Sequence, residues 1–277
     1  TINSKNWKNF RKKDSNIKYV KKLDDILNNK KVDFIIVCIS WDQTEKILPK
    51  LLSSEKPMLL EKPIAFKSNF LKKLLKKNKK NCKNKFVGFN RRFYKTTQKL
   101  YKRLLKNDLI YADIRVTENY NEIINKYGSK IKNRINYVTA TTHVIDLVIF
   151  LFGQLRIKSL KIIKAKKNKC SSFFANCRNK KNIIVNISIF NQNPSNTGIT
   201  CYFSDGTTWD LSPLEVLSIY DKYNVQTNKK NKLRFYEPSL LRKYSENDNK
   251  YKPGFYNQLS SITKKKIQYA SSIDSNI

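Results

Sequence analysis

Glycine is scarce in this chain, and it arrives late. There are six glycines in 277 residues, and the first is Gly88. The residues before it cannot build a Gly-x-Gly-x-x-Gly turn, whose backbone amides would cradle a pyrophosphate. Histidine occurs once, as His143, so any imidazole chemistry falls to that residue. Acidic residues number 21 against 57 Lys+Arg, for a formal net charge of +36. Arginine, the planar fork that reads phosphate, supplies only ten of those 57. Lysine is scattered along the whole chain among Asn and Ile, as low-GC coding produces, and this reads as solvated lysine faces. A basic stripe with interleaved aromatics is absent, so specific nucleic-acid binding is not expected. Long apolar runs are absent too. The best, 144–152, is short and contains Asp146, so no membrane span is expected. No signal peptide is recognisable, although a chain that opens on Thr1 could have lost one. The five cysteines, Cys38, Cys82, Cys170, Cys177 and Cys201, match no zinc spacing. No metal is expected, and reduced thiols in a cytoplasmic protein are the simplest reading. Cys38 reads as a small core residue inside a strand.

What is present alternates first and changes character later. VDFIIVCIS (32–40) is a continuous apolar run, as in a strand covered on both faces. A helix with Ile47, Leu48, Leu51 and Leu52 on one side follows. PMLLEKP is the next strand, 66–81 a lysine-covered amphipathic helix, and KFVGFNRRF (85–93) a third strand before a helix through Leu100, Leu104 and Leu105. That order implies right-handed crossovers and a parallel sheet. After about residue 107 the period becomes two. In LIYADIRVTEN, Ile110, Ala112, Ile114 and Val116 point one way, as in a half-buried strand. NIIVNISIF (182–190) repeats this, and 199–211 is a hairpin turning at Asp205-Gly206. A helix from about Tyr137 to Phe152, capped by Gly153, interrupts the strands. The polar stretch 222–256 reads as loop, with KPGF a turn. The expected fold is α/β, a Rossmann-like parallel sheet over 1–107, followed over 108–277 by an α+β domain with an open, mostly antiparallel sheet.

Ligands of open parallel sheets bind outside the carboxyl ends of the strands. Three expected strands end there in polar clusters: Ser40-Trp41-Asp42, Glu61-Lys62-Pro63 and Asn90-Arg91-Arg92. Pro63 ends its strand because it cannot donate to a ladder, and a cis Lys62–Pro63 bond would fix the lysine's direction. Two readings of Glu-Lys-Pro compete, a solvated strand end and a lysine held at a working edge. His143 has the same ambiguity. On a helix it shares a face with Asp146, whose carboxylate could orient the imidazole and raise its pKa. A lone histidine on an apolar helix can equally be a core residue.

Taken in order, EKP, GFNRRF, H-x-x-D-L with LFG behind it, and the tail YKPGFYNQL (251–259) resemble the Gfo/Idh/MocA oxidoreductases over about Tyr19 to Gln258. EKP carries most of the specificity, and the tail looks like that of members from surface-polysaccharide and nucleotide-sugar pathways. The resemblance implies NAD or NADP as cofactor and hydride transfer to or from a sugar carbon. The anionic, nucleotide-linked or acidic sugar it implies is compatible with the basic charge. It assigns Lys62 to polarising the reacting oxygen and His143 to general acid/base work. Ser40, Trp41, Glu61, Lys62 and Pro63 would lie along the cofactor. Asn90, Arg92, Thr139 and Asp146 would line the substrate pocket. A homodimer or homotetramer through the open sheet is the expected assembly.

Three departures qualify the resemblance. The missing glycine turn implies that the first βαβ unit is absent from this chain, which as given should bind a dinucleotide poorly. Ser40-Trp41 replaces the family's Thr-Pro. Thr139 stands where several sugar-alcohol dehydrogenases carry an aspartate, and a hydroxyl cannot replace a carboxylate base. The rival expectation is a non-catalytic, sugar-binding or regulatory relative of the same fold.

Overall fold

The computed structural model describes residues 16, 18–119, 122, 125, 140–163, 172–191, 193–227, 230, 232–246, 250–264 and 268–273. Its contacts divide the chain into two compact units, 1–86 with 272–277, and 87–271. This division falls before the boundary expected after residue 107, because the helix over 95–104 packs with the second unit. Thr96 donates from its amide to the Glu246 carboxylate at 2.7 Å and from its hydroxyl to the Leu214 carbonyl at 3.1 Å.

The first unit contains α1 (Leu23–Leu27), β1 (Ile35–Val37), α2 (Trp41–Ser53), β2 (Met58–Leu60), α3 (Ser68–Lys77) and α4 (Lys79–Cys82). It ends in β3 (Lys85–Val87). The sheet order is β1-β2-β3, with β1 and β2 parallel, Ile35 against Met58 and Val37 against Leu60. Coverage on both faces belongs to the central strand, where Met58, Leu59 and Leu60 are all buried. The run 32–40 is shorter as a strand than expected, and it is covered on one face only. Ile36 is 50% exposed, since β1 lies at the edge of the described sheet. Cys38 lies past the end of β1 and is exposed, not a core residue. The expected strand over 85–93 stops at Val87, and 90–93 turn into a 3-10 helix. α2 seals one face with Leu48, Leu51 and Leu52, the stripe visible in the sequence.

The second unit contains α5 (Lys95–Leu104), β4 (Leu109–Glu118), α6 (Ala140–Phe152), β5 (Leu155–Ile163), β6 (Ser172–Asn179) and β7 (Ile184–Asn191). β8 (Gly198–Phe203), β9 (Thr208–Leu211), β10 (Val216–Thr227), β11 (Arg234–Ser245) and α7 (Phe255–Thr263) complete it. Eight strands run in the order β11-β10-β9-β8-β4-β7-β6-β5, and only β4–β7 pair in parallel. This is the expected open, mostly antiparallel sheet. Its inner face, with Ala112, Ile114, Val116, Val185, Ile187 and Ile199, packs on Val144, Leu147, Val148 and Leu151 of α6. Ile110 breaks the expected alternation and is 59% exposed. A register shift between Leu109 and Tyr111 puts Leu109 inward in its place. The stretch expected as loop forms the longest strands, β10 and β11, paired from Val216–Ser245 to Thr227–Arg234. Exposure of Tyr223, Val225, Phe235 and Tyr236 erases the apolar period that would have announced them. Gly153, at φ 77°, ends α6 by donating its amide to the Ile149 carbonyl at 2.9 Å. The expected first turn of that helix, 137–139, and Cys170 lie outside the described residues.

Lys85 is fully buried in the first unit. Its ammonium donates to the carbonyls of Lys56 (2.7 Å), Ser54 (2.8 Å) and Asn81 (3.3 Å), gathering the ends of α2 and α4 onto β3. Burial pushes its pKa down to about 8, from 10.5. Between these two values the unfolded chain holds a proton that the folded unit has released, so this group's contribution to stability rises with pH across that window. Lys85→Met should destabilise the first unit by about 1–3 kcal/mol, because buried carbonyls lose their donor. Denaturant unfolding of the wild type should show stability climbing across that window, and the variant should lack that component.

Candidate functional site

The candidate residues fall in two clusters, one in each unit. The first stands at the carboxyl ends of β1 and β2. The Glu61 amide donates to the Val37 carbonyl at 2.9 Å, continuing the ladder one step past Leu60. The chain then turns through a cis Lys62–Pro63 bond, and Lys62 is 7% exposed. Burial raises the Glu61 carboxyl pKa, and the adjacent Lys62 charge opposes that rise. The Cys38 thiol beside it is pushed up by burial and by the Glu61 charge. Ser40 is exposed and precedes the first turn of α2, where Trp41 is half-buried. The Ser40 carbonyl accepts from the Thr44 amide (2.9 Å) and hydroxyl (3.2 Å). One positioning residue was missed from the sequence. Glu45 of α2 accepts from the Phe66 amide at 3.1 Å and so holds the segment that leaves Pro63. It sits 21 residues away and belongs to no motif.

The second cluster surrounds α6. Glu118, buried at the end of β4, accepts from the Thr141 amide (3.1 Å) and hydroxyl (2.5 Å). A carboxylate there satisfies first-turn donors and complements the helix dipole. One turn on, the half-buried His143 ring meets the edge of Phe89, 5.9 Å between centroids. Asp146 shares the helix with His143, but its carboxylate is taken by Arg92. Nε and Nη2 of Arg92 donate at 2.7 and 2.5 Å, with both side chains buried. Asp146 thus forms an ion pair with Arg92, whose guanidinium fork binds both carboxylate oxygens at once. Burial raises the Asp146 carboxyl pKa and Arg92 opposes it. Arg92 also lies over the Phe150 ring, 5.2 Å from its centroid.

Asn90, expected in the substrate pocket, is buried, and its side-chain amide donates to the Pro253 carbonyl at 3.0 Å. The Gln258 amide reaches the Val87 carbonyl (3.2 Å), and that of Asn257 the Phe93 carbonyl (3.3 Å). The GFNRRF and KPGFYNQL motifs, far apart in sequence, therefore clamp each other. Gly254 makes this approach possible. It sits at φ 78°, and a Cβ there would fall 2.2 Å from the Asn90 carbonyl oxygen. Thr139 lies outside the described residues. Among the described residues no cluster of His, Cys, Asp and Glu could hold a metal, and no helix is long and apolar enough to cross a membrane.

Residues 1–89 match the model of the GFO_IDH_MocA family, described as an oxidoreductase family with an NAD-binding Rossmann fold. Over those residues the chain is similar to the Gfo/Idh/MocA oxidoreductase family. Comparison with curated proteins gives no match. Among solved structures, a dehydrogenase from Chromobacterium violaceum is similar at TM-score 0.73 and 12% identity, covering 100% of this chain and 82% of that one. UDP-N-acetylglucosamine 3-dehydrogenase GnnA from Acidithiobacillus ferrooxidans aligns at TM-score 0.65 and 11% identity, over 98% and 82%. A super-repressor mutant of Gal80p from Saccharomyces cerevisiae aligns at 0.66 and 14%, over 96% and 76%. At these identities the likeness carries the fold, a Rossmann-type unit with an open-sheet unit. The residues at the Gfo/Idh/MocA edge fit the ring end of an NAD-type cofactor. A buried ammonium, the exposed Ser40 and the half-buried Trp41 stand at the strand ends, where such folds bind ligands. They do not supply its pyrophosphate end, since no glycine precedes Gly88.

Arg92→Met should destabilise the second unit by about 3–5 kcal/mol, because it leaves Asp146 buried and unpaired. Arg92→Met combined with Asp146→Leu should recover most of that loss, and a double-mutant cycle in urea measures the coupling. Gly254→Ala should cost about 2 kcal/mol or more, from the left-handed backbone and the clash at Asn90. The thermal midpoint checks this, with Gly206→Ala as the comparison, since a Cβ there meets nothing within 4 Å.

Proposed function

We propose that the protein oxidises a sugar hydroxyl, or reduces the matching ketone, with NAD or NADP. The sugar is nucleotide-linked or acidic, as suits a chain of net charge +36, and belongs to surface-polysaccharide metabolism in the cytoplasm. The observation that carries this reading is Lys62, a buried ammonium on a cis-proline turn at the carboxyl edge of an NAD-binding family's sheet. In the oxidative direction His143 accepts the hydroxyl proton. The role assigned to Lys62 is to stabilise developing negative charge. The nicotinamide, when bound, supplies the hydride acceptor. Pro63 and Glu45 hold the Lys62 turn, and Glu118 holds the first turn of the His143 helix. Arg92 and Asp146 pair with each other and brace that helix.

A second reading is a sugar-binding or regulatory relative of the same fold without turnover. The similarity to Gal80p is compatible with it.

Reduced nicotinamide formation, followed by absorbance at saturating NAD or NADP with a panel of nucleotide sugars and sugar acids, separates the two. Turnover is the expected result, and saturable sugar binding without turnover would favour the second reading. His143→Ala should lower kcat by at least about a hundredfold, and Lys62→Met by about a hundred- to a thousandfold, with both variants folded. Unchanged turnover in His143→Ala would remove the proposed proton acceptor.

A further inference from the structure

The corner of the large sheet where β5 and β6 begin and end gathers four cations and no carboxylate. Arg156 of β5 lies directly opposite Arg178 of β6 in the antiparallel register. Facing residues of one charge repel, and sheets ordinarily place an opposite charge or an apolar group there. These are two of only ten arginines in the chain. Beside them is an open cavity of about 560 Å³, lined by Arg156, Lys158, Arg178 and Lys180 with Gln154, Asn179 and Asn182. No carboxylate lines it, and among the described residues none of the four cations forms an ion pair. The half-buried Arg178 is held in place by its own Nη1, which donates to the backbone and side-chain oxygens of Asn182, both at 3.1 Å. One side of the guanidinium is thereby fixed.

We propose that this corner is a binding site for a diphosphate group. Two guanidinium forks match phosphate oxygens in pairs, and the two ammoniums add charge without demanding geometry. Gln154 can donate a neutral hydrogen bond to the same oxygens. A bound polyanion would turn the Arg156–Arg178 repulsion into two attractions. The site shares no residue with the Lys62 or His143 clusters and stands independently of the catalytic reading.

The test is a titration of the full chain with inorganic pyrophosphate at near-physiological salt, read as the shift in thermal midpoint of the second unit. R156Q/R178Q is compared with R234Q/R242Q, which removes the same charge from β11. The wild type and the β11 variant should show the same saturable upward shift, and R156Q/R178Q should bind about tenfold more weakly or not at all. The single variant R156Q, at an exposed position, should weaken binding in the same direction if the double variant does not fold. A nucleoside diphosphate that binds no more tightly than pyrophosphate would show that the corner reads the diphosphate alone. Equal shifts in both double variants would mean that overall charge attracts the anion, and the site would be withdrawn. No shift in the wild type would do the same.

Discussion

The second unit turns on one buried ion pair. Arg92 comes from a short 3-10 turn and Asp146 from the middle of α6, 54 residues later. Taking two charges out of water costs several kcal/mol each, and only good geometry offsets that cost. Here the geometry is good. Two nitrogens of Arg92 meet two oxygens of Asp146, and the guanidinium also covers Phe150. An apolar pair of similar volume could fill the space equally well. What it could not do is set the rotation of α6 about its own axis. A bidentate pair accepts one orientation of the helix, and that orientation brings His143 against Phe89.

The same device recurs wherever the backbone is irregular. Turns cannot satisfy their own amides and carbonyls, and buried ones must find partners. Lys85 serves three carbonyls, Glu118 caps the first turn of α6, Glu45 holds the Phe66 amide, and Asn90 and Gln258 bind carbonyls of distant segments. Each bond joins residues that motif spacing does not relate. Around the candidate site, long-range side-chain hydrogen bonds do what regular structure does elsewhere.

This explains what could be read in advance. β2, α2, α6 and the β8–β9 hairpin were legible because burial on a fixed face imposes a period or a turn signal. Gly153 was legible as a cap because only a left-handed position is needed there. β10 and β11 were not. Both of their faces carry exposed side chains, and main-chain pairing leaves no mark on composition. Ile110 was misplaced because a register shift is invisible to a strict alternation. The Arg92–Asp146 pair was not legible for a different reason. Helical spacing says which residues share a face, and says nothing of a stronger partner arriving from another element. Lys62 and His143 stood out as residue types in a motif, but Glu45, Glu118 and Lys85, which support the site or its unit, had no local signal.

The charge imbalance becomes informative once the acids are located. With 21 acids against 57 Lys+Arg, most cations can have no carboxylate of their own. The described acids that matter are spent on the frame: Asp146 on Arg92, Asp108 and Asp205 on Arg103, Glu118 on a helix start, and Glu246 on Thr96. Lone surface lysines need no explanation under such a ratio, because water and salt screen them. Arginines are different, being few, and Arg92 and Arg103 are committed to carboxylates. Two of them facing each other across a strand pair, in a concavity without an acid, cannot be attributed to coding bias for lysine. Repulsion between them is tolerable in salt water, but it leaves the corner poised to gain from any anion that fits, and that is the physical content of a binding site.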